Sequence, residues 1–199
     1  MTEKVANLRE QLKTTTRQEL TRIGLALFLQ QGFANTTIDQ IVAPVGLSKR
    51  TFFRYFDTKE DLVFEWQTQM APALVLELNS RPNEEAPFKA VSETLFSLLT
   101  RVNENPELAF ALTRLLKETP SLARTDMEKR MVWEEVLTAA LIVRVRSKAM
   151  TRLKARIIVG MAMTAWTAAL DEWYASGGKA KLRPIMGKAF ALVRDQEYQ

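Results

Sequence analysis

Apolar residues recur at steps of three and four along most of the chain, which is the period of α-helices and not of β-strands. Leu20, Ile23 and Leu27 share one face near the N-terminus, and five longer stripes follow. They consist of Phe88, Val91, Leu95, Leu98, Leu99 and Val102, of Leu108, Leu112 and Leu115, of Met127, Met131, Val136, Ala140 and Leu141, of residues 157–173, and of Leu182, Ile185, Met186, Ala189 and Val193. The pattern predicts an all-α fold with about nine helices.

Polar motifs mark where the N-terminal helices begin. The predicted caps are Thr16 with Glu19, Thr37 with Gln40, Ser48, and Thr58. Gly32 is placed to end the first helix, but the sequence leaves open whether residues 1–15 extend that helix or form a loose arm. Short helices give way to long ones near Thr58, which predicts a first domain over residues 1–57 and a second over 58–199.

Composition narrows the possible chemistry. The 199 residues include no cysteine and no histidine, which excludes disulfides, Ser-His-Asp or Cys-His catalysis and imidazole-bound zinc. We therefore expect no enzymatic activity, no metal and no cofactor.

The polar N-terminus lacks a signal peptide, and the longest uncharged stretch, residues 157–170, is shorter than the ~20 residues of a spanning helix. The expected location is the cytoplasm, without membrane contact.

Positive charge is concentrated at the N-terminal end. The net charge of the chain is +5, and residues 1–57 hold eight Lys/Arg against five Asp/Glu, a net of +3 in under a third of the length. A basic surface favours a polyanionic partner without identifying it.

Residues 36–56, TTIDQIVAPVGLSKRTFFRYF, predict two short helices joined at Gly46, a residue that tolerates a left-handed turn. On the second helix, Phe52 and Phe56 are four residues apart and face the core. The opposite face presents Lys49, Arg50, Thr51, Arg54 and Tyr55, with no acidic residue between Leu47 and Phe56. A helix of this kind fits the major groove of DNA, where Arg and Lys can contact guanine edges and hydroxyl groups can hold phosphates.

Residues 17–66 resemble the N-terminal domain of the TetR family of bacterial regulators. The resemblance runs through LFLQQGF (residues 27–33), the Thr36-Thr37 pair, VGLS (45–48), TFFRYF (51–56) and TKEDL (58–62). It implies a homodimer whose paired third helices enter successive major grooves of a palindromic operator on double-stranded DNA, and whose C-terminal domain binds a small-molecule effector.

By position, the resemblance assigns Lys49, Arg50 and Arg54 to base edges or nearby phosphates. The residues it places on the phosphate backbone, or close to it, are Thr37, Thr51, Tyr55 and Lys59, and Ser48 belongs to the same predicted contact set. Phe53 stands where the family often has tyrosine, so its contact would be apolar.

Two residues depart from the family pattern. Val42 replaces the usual alanine and should hold the two helices slightly further apart. Pro44 falls inside the second helix, where it lacks the N–H that would bond to Gln40 and should shorten or strain the helix end.

The C-terminal region carries no comparable motif, but it is rich in large apolar side chains that could line a pocket for a hydrophobic ligand. Its candidates are Trp66, Met70, Phe96, Phe110 and Trp166, although ordinary core packing is the better explanation for any single one of them. The small residues of the 157–170 stretch permit close helix approach. Together with the final helix, this stretch could form a four-helix dimer interface with a second copy, as the resemblance implies, and the alternative is burial within a single chain.

Six cations between Arg144 and Arg156 have no acidic residue among them. They fit a solvated helix connection, an entrance for an anionic ligand, a second nucleic-acid contact or, more remotely, a membrane contact.

The sequence therefore favours a DNA-binding regulator, most simply a repressor that a small ligand releases. The alternatives are a helical small-molecule-binding protein or enzyme without a DNA role, and a non-specific architectural DNA binder. The effector, the operator and the regulated genes do not follow from the sequence, nor does the choice between repressor and activator.

Overall fold

The structure is a computed structural model that describes residues 2–99, 105–145, 147 and 149–196, with the backbone alone for 2–10, 66–69 and 196. The described residues contain nine α-helices and one 3₁₀ turn, and no strand occurs among them, which confirms the all-α prediction. The helices are α1 (Thr2–Gln31), α2 (Ile38–Val42), α3 (Lys49–Phe52), α4 (Glu60–Ser80), α5 (Pro87–Ser97), α6 (Pro106–Glu118), α7 (Pro120–Val145), α8 (Arg152–Ala175) and α9 (Leu182–Gln196).

Most of the predicted caps of the short helices are confirmed. The Thr37 side chain accepts a hydrogen bond from the Gln40 backbone N–H while the Gln40 side chain accepts from the Thr37 N–H, and the Ser48 hydroxyl accepts from the Thr51 N–H. Before α4, Thr58 and Asp61 exchange backbone-to-side-chain hydrogen bonds of 2.9 and 3.3 Å, but the helix begins at Glu60, so the N-cap position belongs to Lys59 and not to Thr58 as predicted. Each cap satisfies an N–H that would otherwise lack a partner in the first turn.

The prediction that the first helix begins at Thr16 is wrong. Helix α1 is continuous from Thr2, and the Thr16 hydroxyl donates to the Leu12 carbonyl of the preceding turn at 2.8 Å. Residues 2–15 therefore extend the helix. The predicted end is confirmed, because Gly32 has a φ of +86° just after Gln31.

Pro44 shortens α2 as predicted. The α-helix stops at Val42, and residues 43–45 continue as a 3₁₀ turn that ends at Gly46, whose φ is +65°. The chain then reverses into α3, with the Leu47 N–H donating to the Val42 carbonyl at 3.2 Å.

Two groups of buried side chains form the interior. The first, which we call the head core, is built around Leu20, Phe28, Ile41, Phe52 and Phe56 and includes Leu62, Val63 and Phe64 from the start of α4. The second, the body core, begins further along α4 at Met70 and continues through α5, α7, α8 and α9. Helix α4 therefore belongs to both cores.

The head core also takes side chains from the C-terminal part of the chain. Leu122, near the start of α7, is fully buried in it, and Leu115 and Leu116 at the end of α6 pack against it. These contacts fix the ends of α6 and α7 to the helices that carry the predicted DNA-binding motif.

The register predicted for α7 is partly wrong. Met127 and Met131 lie on the exposed side of the helix, whereas Trp133, Leu137 and Leu141 are buried. Helix α5 is shorter than its predicted stripe, which continued to Val102, because the helix ends at Ser97. Val102, the last residue of that stripe, lies outside the described residues.

Among the described residues, only α8 is long and apolar enough to cross a membrane, by length and composition alone. It packs against α5, α7 and α9 and contributes nine buried residues, from Ala155 to Trp173, to the body core. A core helix passes the same test of length and composition, so the finding is weak evidence for membrane insertion.

Several residues of the basic run have structural partners. The Arg144 guanidinium donates to the carbonyls of Leu78, Arg81 and Pro82 at the C-terminal end of α4. Arg152 forms an ion pair with Glu135 at 2.6 Å. Arg146 and Lys148 lie outside the described residues. At two positions of the basic run, Arg144 and Arg152, the side chain therefore links neighbouring helices.

Candidate DNA-binding surface and effector cavity

Helix α3 presents its cations to solvent because two phenylalanines fix its other side. Phe52 and Phe56 are buried in the head core with ring centroids 5.5 Å apart, while Lys49, Arg50 and Arg54 are exposed. The α-helix itself ends at Phe52, earlier than the sequence suggested. The turn nevertheless continues, since the N–H groups of Tyr55 and Phe56 both donate to the Phe52 carbonyl, at 2.8 and 3.1 Å.

The other predicted contact residues differ in their exposure. Thr37, Ser48 and Phe53 are exposed, and 48 % of the Phe53 surface is open to solvent. Thr51 and Tyr55 are half-buried. Lys49 lies 3.8 Å from Asp39 of α2, an exposed ion pair that contributes little. Six of the nine predicted residues are therefore exposed, and the remaining three, Thr51, Tyr55 and Lys59, are half-buried.

Lys59 is placed differently. Its ammonium group donates to the carbonyls of Phe33 and Thr36 at 2.6 and 2.9 Å, and it lies 4.3 Å from the centre of the Phe33 ring. The residue thereby ties the start of α4 to the end of α1. The ammonium group has three N–H donors and the two carbonyls accept from two of them, so one N–H remains for a phosphate contact.

A second half-buried cation braces the end of the α3 segment. Arg17 of α1 donates to the Glu65 carboxylate of α4 at 2.6 Å and to the Tyr55 carbonyl at 2.7 Å. Its guanidinium also lies 4.5 Å from the centre of the Phe56 ring. The Glu65 carboxylate raises the pKa of Arg17 through this hydrogen bond. Sequence reasoning missed this brace because its residues are up to 48 positions apart.

A cavity of about 810 Å³ lies between the head core and the body core. Leu25 of α1 and Val63 of α4 line it, and so do Trp133 of α7 and Trp166 and Trp173 of α8. Its other apolar walls come from Met70, Leu98, Leu108, Ala109, Leu112, Leu116, Ala123 and Leu170. The volume falls within the range of small-molecule sites.

The polar residues of the cavity are mostly paired with each other. Asp126 and Arg130, one turn apart on α7, form an ion pair of 2.6 Å, and Arg130 also donates to the Thr167 hydroxyl at 3.0 Å. At a more exposed position, Lys117 of α6 pairs with Asp171 of α8. The cavity thus has an apolar wall with two internally neutralised charge pairs.

The four described side chains among the five residues predicted to form a pocket separate into three groups. Met70 and Trp166 line the cavity. Phe110 lies behind the wall, with its ring centroid 5.4 Å from that of Trp173. Phe96 is not brought to the cavity but lies between α5 and α9, 6.4 Å from Phe190 and under the guanidinium of Arg183. The side chain of Trp66 lies outside the described residues.

Sequence reasoning missed most of the cavity wall. Leu108 and Leu112 were interpreted as an ordinary core stripe, yet α6 has no fully buried residue. Trp166 and Trp173 are seven residues apart on one face of α8, a spacing that could have indicated a shared surface. In the described part of the chain, no group of three His, Cys, Asp or Glu side chains is arranged to hold a metal ion.

Comparison with known proteins agrees with this geometry. The model of the bacterial regulatory protein family TetR matches residues 20–66, and that of the MftR C-terminal domain matches residues 85–197. The HTH-type transcriptional regulator TcmR of Streptomyces glaucescens is 30 % identical over 173 residues, which cover 84 % of this chain and 76 % of that protein.

Solved structures share the fold at lower identity. A TetR-family transcriptional regulator from Syntrophomonas wolfei has a TM-score of 0.67 at 17 % identity, over 94 % of this chain and 96 % of its own. FadR of Thermus thermophilus, a TetR-family repressor solved with lauroyl-CoA, has a TM-score of 0.59 at 20 % identity, over 89 % of this chain and 92 % of its own. The chain is a DNA-binding transcriptional regulator of the TetR family.

Proposed function

We propose that this chain is a dimeric repressor, acting in the cytoplasm, that a small and largely apolar ligand releases from a palindromic operator. The observation that carries the proposal is that one cavity has walls in both cores. Leu25, Val63 and Leu116 line the cavity and also belong to the head core or pack against it. A ligand bound there therefore contacts the packing that positions α3, and can favour a spacing of the two DNA-binding surfaces that no longer matches DNA.

In this proposal, residues 1–57 form the DNA-binding unit and residues 58–199 the effector-binding and dimerising unit. Lys49, Arg50 and Arg54 contact base edges and nearby phosphates. The residues assigned to the backbone are Thr37, Ser48, Thr51, Tyr55 and Lys59, while Phe53 makes an apolar contact such as one to a thymine methyl group. The exposure of the cations around α3 supports these assignments.

Selection of bound fragments from random DNA tests the DNA-binding part of the proposal, with an enriched inverted repeat as the expected result. Binding to that repeat should weaken steeply with salt, because each protein cation displaces counterions from a phosphate. Arg50→Glu should abolish binding without changing helicity. Lys179→Glu, an equal change of charge at an exposed position in the α8–α9 turn, is the matched control and should bind normally. Normal binding by the Arg50 variant would refute the assignment of the reading surface.

Exposed apolar side chains on α8 and α9 support a dimer through the last two helices. Leu153, Ile157 and Leu192 each leave more than half of their surface exposed in the single chain. A Cβ built on Gly160 or Gly187 meets no atom within 4 Å, so both glycines leave room for a close neighbour. Sedimentation should give twice the 22.7 kDa of one chain, and a 22.7 kDa species at working concentration would refute the dimer.

Binding of a ligand should weaken operator binding, and the FadR structure with lauroyl-CoA supports a ligand site in this fold. The corresponding measurement is operator affinity with increasing ligand. A ligand that occupies the cavity without changing operator affinity would refute release as the mechanism.

A further inference from the structure

The cavity wall is unusually rich in flat aromatic side chains. Trp133, Trp166, Trp173 and Tyr174 all line it, and Phe110 supports two of them from behind, 5.4 Å from Trp173 and 6.3 Å from Tyr174 between ring centroids. Aromatic rings pack well against other planar rings in offset or edge-to-face geometry. An extended aliphatic chain has no ring and cannot form these ring–ring contacts.

The charged residues of the cavity favour an uncharged occupant. Asp126 pairs with Arg130 and Lys117 pairs with Asp171, so the four charges sum to zero. The side chains of the first pair are only 17 and 25 % exposed. A charged ligand would have to compete with a partner already in place, and separating a largely buried pair is strongly unfavourable.

Two indole donors on the wall differ in their hydrogen bonds. The Trp173 indole N–H donates to the Ala180 carbonyl at 3.0 Å, whereas the Trp166 indole forms no hydrogen bond among the described residues. Trp166 is only 7 % exposed, and its indole nitrogen can donate but not accept. Thr138 Oγ1 is the one side-chain polar atom in the described part of the chain that is both buried and without a partner, so the unpaired Trp166 nitrogen is not sealed off, and an oxygen acceptor on a cavity occupant can bond to it.

From these three observations we propose that the effector is an uncharged, planar aromatic molecule with an acceptor oxygen, such as an aromatic ketone or quinone. Its rings lie among the indoles of the cavity, and its oxygen accepts a hydrogen bond from the Trp166 N–H. That this molecule regulates DNA binding rests on the proposed function, but its binding to the cavity can be measured without DNA.

Calorimetric titration of the full chain tests the ligand class. The probes are flavone, chromone and anthrone as planar aromatic ketones, 2-phenylnaphthalene as a match for flavone without oxygen, and laurate and lauroyl-CoA as charged aliphatic ligands. We expect at least one aromatic ketone to bind more tightly than both aliphatic probes. Tighter binding of laurate or lauroyl-CoA than of every ketone, or the absence of binding by all ketones, would overturn the proposal.

Two conservative variants test the hydrogen bond. Trp166→Phe keeps a ring at this position but removes the N–H, and should weaken flavone binding by about 2- to 12-fold, the effect of one neutral hydrogen bond. The affinity for 2-phenylnaphthalene should change by less than about twofold, because that probe accepts no hydrogen bond. Trp173→Phe is the control, since its N–H is already bound to Ala180 and its loss should affect both probes equally.

An equal loss of both probes in Trp166→Phe would refute the role of this donor. The DNA experiments give a separate answer. If Arg50→Glu left operator binding intact, the proposed function would fail, whereas the ligand class would still be decided by the titrations.

Discussion

The Arg17 brace gives the sharpest test of how the head is held together. Arg17→Met keeps the aliphatic stem that packs near the Phe56 ring but removes both hydrogen bonds, to the Glu65 carboxylate and to the Tyr55 carbonyl. The Glu65 side chain is only 10 % exposed, so its charge would lose this guanidinium in a largely dry environment. The Tyr55 carbonyl would lose the donor that fixes the end of the α3 segment.

The expected loss follows from the hydrogen bonds and the burial. A hydrogen bond to a charged group contributes about 1.5–3 kcal/mol. Arg17 is itself 33 % exposed, so water can replace part of the interaction, and the full 3–5 kcal/mol of a completely buried pair is not expected. We expect the free energy of unfolding to fall by about 1.5–3 kcal/mol. In a chain of this size, that corresponds to a Tm lower by about 3–12 °C.

Urea and thermal unfolding measure the loss, and Arg22→Met is the matched control on the same helix. Arg22 pairs with Glu19 at 2.6 Å in an exposed position, so its replacement should leave stability unchanged within error. A double-mutant cycle of Arg17→Met with Glu65→Gln should show a coupling of about 1–2 kcal/mol. If Arg17→Met were no more destabilising than Arg22→Met, or if the cycle showed no coupling, the hydrogen bonds of Arg17 would not contribute to the stability of the head core.

Three further predictions concern stability. Thr138 is buried and its hydroxyl has no partner among the described residues, so Thr138→Val should raise the unfolding free energy by about 1 kcal/mol in urea titrations, whereas Thr94→Val, which removes a 2.8 Å bond to a carbonyl, should not stabilise. Leu122→Ala should cost about 2–5 kcal/mol, and a loss below 1 kcal/mol would contradict the burial of this side chain in the head core. The hydrogen bond from Arg81 lowers the pKa of Glu85 against the opposing effect of burial, so its contribution should be fully present above the ordinary Glu pKa and lost as the pH falls below it. Unfolding at pH 7 and pH 3 should therefore differ less in Glu85→Gln than in the parent, and an unchanged difference would count against this pair.

The sequence predicted best what depends on neighbours along the chain. The caps at Thr37 and Ser48 and the turn at Gly46 involve residues three or four apart, so their partners are visible in the sequence. The same local rule misled at Thr16, because a threonine in mid-helix can donate to the carbonyl four residues earlier instead of capping a helix start.

The cavity could not be predicted in the same way. Its walls come from five helices between Leu25 and Tyr174, and their meeting depends on how those helices pack. Composition indicated large apolar side chains but could not separate Trp166, which lines the cavity, from Phe96, which packs between α5 and α9. Likewise, the period of α7 placed Met127 and Met131 on one face without showing that a second face, that of Trp133, is the buried one.

The burial of Leu122 in the head core has a practical consequence for dissecting this protein. A fragment that stopped after residue 57 would lack Leu62, Val63 and Phe64 as well as Leu122, and so would expose the surfaces of Leu20 and Phe52 that they cover. The segment around α3 is thus not autonomous, because part of the core against which it packs comes from residues later in the chain. Truncated versions should be poorly folded and aggregation-prone, and swapping this segment onto another regulator should require transplanting its α6–α7 support as well.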